Sequence, residues 1–371
     1  MMMQPSTAKR RQLSAIAVVL ALLGTAFPLW QGSVRGAGKE KVGKFTEELV
    51  YVQSEDGIPN CGVIFAPLTN SAKRIAVIWI HGWGVNFYQP TYVKIGRALA
   101  ERGYTCITAN TRMHDIGFNI GERNGKRLRG GGYWGVTSEE GRDIATWINF
   151  ATARGFKQVV LVGHSAGWSE VRRYQAEKQD RRVVGLVSAS GNFWPSNEPP
   201  DSEMLAQATR LVAEGHGDDL LRFPNRRFPS FVSADTYLDF AKTPPELTDF
   251  FGLRTPNPGV TRVRCPILAF FGTRDDDGTE KDLDLLKSCI RRQSSGPSRV
   301  DTLMIQNADH MYTGEEAQVA QTIAKWADTL VAPEAVKVAR WRRPSQGRLY
   351  ISETASFNLT PCVMCMIYLT C

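Results

Sequence analysis

Between residues 48 and 331 the hydrophobic positions follow two alternating patterns. Short β-branched or aromatic runs at about 49–53, 61–66, 74–80, 104–109, 157–162, 182–189, 266–271 and 299–305 read as strands. Several, such as Ile75-Ala76-Val77-Ile78-Trp79-Ile80, are apolar at every position, as in a central strand covered on both faces. The first two runs suit an antiparallel entry to the sheet. Between the strands the spacing changes to that of helices. The stretch 138–153 is the clearest: Ile144, Ile148 and Ala151 share a face, and Thr137 with Glu140 has capping-box spacing. Strands alternating with helices predict an α/β fold, a mostly parallel central sheet flanked by helices. One stretch breaks the rhythm. From Asn192 to about Arg262, Pro195, Pro199, Pro200, Pro244 and Pro245 punctuate acidic helical pieces with no strong strand. This region, 192–262, reads as a lid or cap inserted over the sheet.

Composition narrows the class. The chain has 371 residues, 43% of them hydrophobic, which is ample for one large core and too apolar for disorder. The formal charge of +8 suggests nucleic acid until it is located. Residues 1–44 hold seven basic residues against Glu40, and residues 332–371 hold five against Glu334 and Glu353, leaving the body between them at −1. A nearly neutral body excludes a duplex-binding face, so no nucleic-acid partner is expected.

The basic ends are tails. Residues 1–37 read as a targeting segment, with Lys9-Arg10-Arg11 ahead of an uncharged run from Leu13 to Trp30. Gly24 and Ala26 mark a signal-peptidase cut before Phe27, and a second site lies near Gly36-Ala37. A secreted or periplasmic protein is expected; a retained segment would make residues 13–30 a membrane anchor, the sole membrane contact foreseen. Residues 38–331 are then the folded domain, and 332–371 a basic, disordered tail. Of seven cysteines, Cys61, Cys106 and Cys265 fall in strand-like runs as buried hydrophobes, and Cys289 falls in a helix where a bridge stays open. Cys362, Cys365 and Cys371 crowd the tail beside the sequon Asn358-Leu359-Thr360; with no nearby His they make a weak case for zinc.

The chemistry centres on Val159-Val160-Leu161-Val162-Gly163-His164-Ser165-Ala166-Gly167, an apolar strand running through Gly-x-Ser-x-Gly into a helix. A serine on such a sharp turn takes a strained backbone, and the residues two before and two after it must be small. The helix N-terminus behind Ser165 favours negative charge there. A serine hydroxyl needs a base, and the base needs an orienting acid. Five histidines permit elimination: His164 lies inside the turn, His81 and His114 follow early strands, and His216 sits in the insertion. His310 alone lies at the C-terminal end of a late strand. The acid should follow the 266–271 strand, in Gly272-Thr273-Arg274-Asp275, with Asp276 and Asp277 as rivals to Asp275.

The order Ser165, Asp275, His310, together with His81-Gly82-Trp83-Gly84, resembles the α/β-hydrolase superfamily of serine esterases, lipases and thioesterases over about residues 49–331. The resemblance implies the α/β-hydrolase fold, a catalytic triad, and an oxyanion hole built from the backbone N–H groups of Trp83 and Ala166. It implies no metal and no organic cofactor, and a small-molecule ester as the partner. Trp83 departs from the lipase pattern of three glycines after the histidine. Trp134, Trp168, Phe193 and Trp194 read either as an acyl pocket or as core and lid packing. The Gly121–Gly135 loop carries Arg123, Lys126, Arg127 and Arg129; it reads as a solvated flexible loop or a site for acidic groups, and its spacing is not that of a P-loop. The expected reaction is hydrolysis of carboxylic esters through an acyl-enzyme. Thioester or peptide cleavage by the same triad, and a non-catalytic binding protein on this fold, are the alternatives.

Overall fold

The computed structural model describes residues 40–330 apart from 69–72, 124–125, 196–199 and 224–229. Residues 1–39, which include the expected targeting segment and 13–30, and residues 331–371, with three cysteines and the sequon, lie outside the described residues. No helix among the described residues is long and apolar enough to cross a membrane.

The strands that the apolar runs predict all form. With five further strands that those runs did not predict (β1, β6, β7, β10 and β11), the described strands are β1 (Glu40–Val42), β2 (Phe45–Gln53), β3 (Pro59–Pro67), β4 (Ile75–Ile80), β5 (Thr105–Ala109), the hairpin β6 (Phe118–Arg123) and β7 (Lys126–Gly130), β8 (Gln158–His164), β9 (Val183–Ala189), β10 (Leu220–Phe223), β11 (Ser230–Ser233), β12 (Ile267–Gly272) and β13 (Val300–Ile305). Nine of them make one sheet in the order β1-β2-β3-β5-β4-β8-β9-β12-β13. The β1–β2, β2–β3 and β3–β5 pairs are antiparallel, which bears out the antiparallel entry, and every pair from β5 to β13 is parallel.

Helices cover both faces: α1 (Pro90–Glu101), α2 (Glu140–Ala153), α3 (Gly167–Lys178), α4 (Ser202–Ala213), α5 (Ala234–Ala241), α6 (Pro245–Thr248), α7 (Glu280–Arg291) and α8 (Glu316–Asp328). Alternation along β4 divides the core. Ile78 and Ile80 pack with Ile144, Trp147 and Ile148 of α2 and Leu283 and Leu286 of α7. Val77 and Trp79 pack on the other face with Ile95 and Leu99 of α1 and Val319 and Ile323 of α8. Cys61, Cys106, Cys265 and Cys289 are all free thiols.

Three local expectations need correction. Residues Thr137–Glu139 form a 3-10 turn and α2 starts at Glu140 without a side-chain cap. Thr137 Oγ1 instead donates to Asp239 Oδ2 at 2.6 Å, and Glu140 is buried. The Gly121–Gly135 loop is in large part the β6–β7 hairpin. The 192–262 stretch does contain strands, the antiparallel pair β10–β11.

That stretch has two parts. Leu247, Phe250, Phe251, Val260 and Val263 belong to the core under α2, α3 and α7. Met204, Ala208, Leu221, Ala234, Tyr237 and Leu238 make a separate apolar cluster of their own. Its seam to the rest includes hydrogen bonds: Ser233 N–H to Tyr133 O at 2.7 Å and Trp134 Nε1–H to Asp218 O at 2.9 Å.

The outgoing connections of β4 and β8 run to opposite sides. From β4 the chain crosses by α1 to β5 on one side, and from β8 by α3 to β9 on the other. Neighbouring strands whose outgoing connections diverge leave a crevice at their C-terminal ends. The loops after β4 and β8 therefore meet there.

Candidate functional site

Ser165 sits one residue beyond β8 with φ of 51°, a left-handed value costly for a residue with a side chain. Its N–H is tied to Ala189 O at 2.9 Å. The two flanking glycines make the turn possible. A Cβ on Gly163 would stand 2.4 Å from Gly167 O, and one on Gly167 would stand 2.3 Å from His81 O. The small-residue requirement is thus a steric fact on both sides, and it presses the elbow against the turn that follows β4. The helix α3 begins at once, so the positive end of its dipole lies next to the serine.

His310 lies in the loop between β13 and α8, and Asp275 in the loop after β12. His310 Nδ1 meets Asp275 Oδ1 at 3.1 Å. Asp277 Oδ2 is also near, at 3.4 Å, but the Asp275 side chain is 0% exposed whereas that of Asp277 is 39% exposed. Asp277 contributes its N–H to Asp275 Oδ1 at 2.9 Å, so the neighbour helps orient the buried acid. Asp276 is exposed and has no hydrogen bond or ion pair to His310 among the described residues. Burial by itself would lower the His310 pKa; the hydrogen bond and charge of Asp275 outweigh it and hold it above 6.5. Burial likewise works to raise the Asp275 carboxyl, and the His310 contact, the nearby Ser190 hydroxyl and the Asp277 N–H together bring it below the usual range. Asp275 Oδ2 is itself buried without a hydrogen bond, so Ser190 acts on the carboxyl from outside bonding range.

The structure brings Asp275 and His310 together, and the ring of His164, the residue before Ser165, lies 5.0 Å from that of His310. It does not join Ser165 to His310: among the described residues no hydrogen bond links Ser165 Oγ to the ring. Gly82 lies so near the elbow that a Cβ there would be 3.2 Å from Ser165 Cβ. The N–H groups of Trp83 and Ala166 are donated to no group among the described residues, and the Trp83 side chain is 41% exposed at the surface. The arrangement offers a hydroxyl on a strained turn, two unused N–H donors and a histidine backed by a buried carboxylate. Asp275, Asp277 and His310 are also the group whose ligand atoms lie within 4.8 Å of one another, close enough to hold a cation.

The aromatics divide as packing. Trp168 is fully buried and stacks on Phe251 at 6.3 Å, Phe193 packs edge-on to Phe251 and Phe271, and Trp194 Nε1–H bonds Asp282 Oδ1 at 2.9 Å. The Trp134 ring carries the Arg129 guanidinium at 5.2 Å. The side chains of Arg123, Lys126 and Arg127 lie outside the described residues.

Residues that spacing did not single out close the back of the site. The ring of His164 is hydrogen bonded at both nitrogens, to Tyr92 Oη and to His310 O, each at 2.8 Å. Ser190 Oγ and Tyr312 Oη are 2.6 Å apart, and both residues have positive φ, 51° and 60°. Arg112 is buried, with Nε on Asp143 at 2.9 Å and Nη1 on Asp56 at 2.9 Å and Glu139 at 2.7 Å. Of these, His164 lies inside the Gly-x-Ser-x-Gly turn, while Tyr92, Ser190 and Tyr312 carry no motif of their own.

The sequence profile of the alpha/beta hydrolase family matches residues 77–322, more than half of the chain. No curated protein matches the sequence significantly. Solved structures of similar architecture include Est1E from Butyrivibrio proteoclasticus, with 16% identity, a TM-score of 0.51, and coverage of 76% of this chain and 98% of that one. A hypothetical protein from Pseudomonas aeruginosa aligns with 14% identity and a TM-score of 0.56, over 78% of this chain and 95% of its own. DcsB, solved in complex with its substrate analogue, gives 14% identity and a TM-score of 0.56, over 77% and 99%. At such identities the likeness is one of fold.

Proposed function

Since this chain belongs to the alpha/beta hydrolase family, we propose that it is a serine hydrolase that cleaves carboxylic esters with Ser165 as nucleophile, His310 as base and Asp275 as orienting acid. The observation that carries the reading is the φ of 51° at Ser165. Backbone strain of about 1–3 kcal/mol persists where the surroundings enforce it, and here the enforced result is a hydroxyl lifted off the sheet.

In this mechanism His310 Nε2 takes the proton of Ser165 as Oγ bonds to the ester carbonyl carbon. The carbonyl π electrons move to the oxygen, which the Trp83 and Ala166 N–H groups receive; losing one such donor typically costs ~10²–10³ in turnover. The C–O bond to the alcohol then breaks, and His310 delivers its proton to the departing oxygen. Water, deprotonated in turn by His310, attacks the acyl-enzyme and releases the acid and free Ser165. Esters suit the site because an alkoxide leaves more readily than an amine. The Ser165–His310 hydrogen bond closes when substrate is bound, a tightening common among catalytic pairs.

The unmade Ser165–His310 bond is what favours the second reading, a non-catalytic binding protein on the same fold. One experiment separates them. Fluorophosphonate labelling and p-nitrophenyl ester turnover should both be present in the intact protein and vanish in Ser165→Ala. A folded wild-type protein that neither labels nor hydrolyses any ester of a chain-length series leaves the binding protein standing.

A further inference from the structure

His164 lies between the strand and the nucleophile, and its imidazole points beneath the elbow. The ring is 1% exposed and enclosed by other rings: Trp79 lies parallel at 6.3 Å, and Tyr92 and Tyr312 stand edge-on at 5.5 and 5.7 Å. Its hydrogen bonds allow one assignment of protons. The His310 carbonyl can only accept, so His164 carries its hydrogen on Nε2 and donates it across 2.8 Å. Nδ1 is then a lone pair and accepts from the Tyr92 hydroxyl at 2.8 Å. The Tyr92 oxygen in turn accepts the Gly82 N–H at 3.2 Å. Three bonds run in one direction, from the turn after β4, through α1 and the elbow residue, to the backbone of the base itself.

We propose that His164 and Tyr92 are positioning residues, a buried relay that fixes the Trp83 turn and the His310 loop to the same frame as Ser165. The inference rests on the serine-hydrolase reading above and adds to it two residues that touch neither substrate nor reacting atoms. The two end links bind backbone groups, the Gly82 N–H and the His310 carbonyl, and the middle one joins the two side chains. Gly82 precedes Trp83, whose N–H is to meet the oxyanion, and the pinned carbonyl is that of His310. The relay needs a neutral imidazole, and burial together with the neighbouring His310 pushes the His164 pKa down to about 3. A cation at His164 would reverse the bond to Tyr92 and set two charges side by side.

The test compares Tyr92→Phe, His164→Leu and His164→Gln with the wild type, following kcat and KM on a p-nitrophenyl ester, the rate of fluorophosphonate labelling, and the melting temperature. Misplacing reacting groups by about 1 Å costs up to ~10²-fold in rate. Positioning therefore predicts folded variants whose kcat and labelling rate fall together, about tenfold in Tyr92→Phe and up to ~10²-fold in His164→Leu, with KM unchanged. His164→Gln, whose amide can still donate to the His310 carbonyl, should recover much of what His164→Leu loses. Should His164→Leu fail to fold, Tyr92→Phe, which removes one oxygen atom, still decides. Folded variants with wild-type kcat and labelling rate would overturn the relay and leave the hydrolase reading intact. A wild type that neither labels nor turns over overturns the hydrolase reading, and the positioning role with it.

Discussion

At the residue scale, two buried histidines flank the elbow in opposite tautomers. His81 donates from Nδ1 to Gly82 O at 2.8 Å and accepts the Thr111 N–H at Nε2, at 3.2 Å, while His164 carries its proton on Nε2. Burial drives both pKa values down, to about 4 and about 3, so neither competes with His310 for a proton near neutral pH. His310 is the opposite case. Its pKa is raised, so the protonated His310–Asp275 pair adds stability below pH 6.5 that is lost as pH rises through the folded value. Catalysis needs the neutral base and has the reverse sign. The expected kcat/KM profile rises with pH through an apparent pKa above 6.5. Asp275→Asn should move that limb to lower pH and cut kcat by roughly 10³–10⁴-fold, which a pH–rate series on both proteins would check. Ser165, Asp275 and His310 were legible because each follows an apolar strand in the order the chemistry requires. Their partners were not: His164 and Tyr92 are separated by 72 positions and meet through packing alone.

At the element scale, periodicity identified each strand of the main sheet from β2 onward to within a few residues, because central strands are apolar at every position. It failed where an element draws its support from elsewhere. The strands β10 and β11 are four residues each and pair only with each other. The Thr137–Glu140 box did not form because Asp239 offers Thr137 a carboxylate. The loop after β5 is tied to α2 by Arg112, whose partner Asp143 is completely buried. Arg112→Ala strands that charge and should destabilise the fold by about 3–5 kcal/mol in a urea titration, with the midpoint lowered. Two carboxyls beneath the same loop run the other way. Glu140 and Glu170 are both buried, and burial raises both above the ordinary carboxylate range, helped at Glu140 by the charge of Glu170 and at Glu170 by that of Asp143. The folded state then holds protons that the unfolded chain releases above about pH 4.5, so they subtract stability as pH climbs. Glu170→Gln should melt higher than wild type at pH 9 and close to it at pH 5; equal gains at both values would refute the titration argument.

At the scale of the whole molecule, the candidate site residues come from four loops at the C-terminal edge of the parallel strands, after β4, β8, β12 and β13. The excursion between β9 and β12 starts at that edge and must return to the opposite one, because Leu186 pairs in parallel with Ile267 and Ala189 with Phe270. Residues from Leu247 to Val263 make the return, sharing the main core. The earlier part has no such duty. Its apolar centre from Met204 to Leu238 is complete in itself. A graft that replaced this part alone would remove the β10–β11 pair and leave every register of the nine-stranded sheet untouched. Variation confined to it therefore leaves in place the loops that carry Ser165, Asp275 and His310.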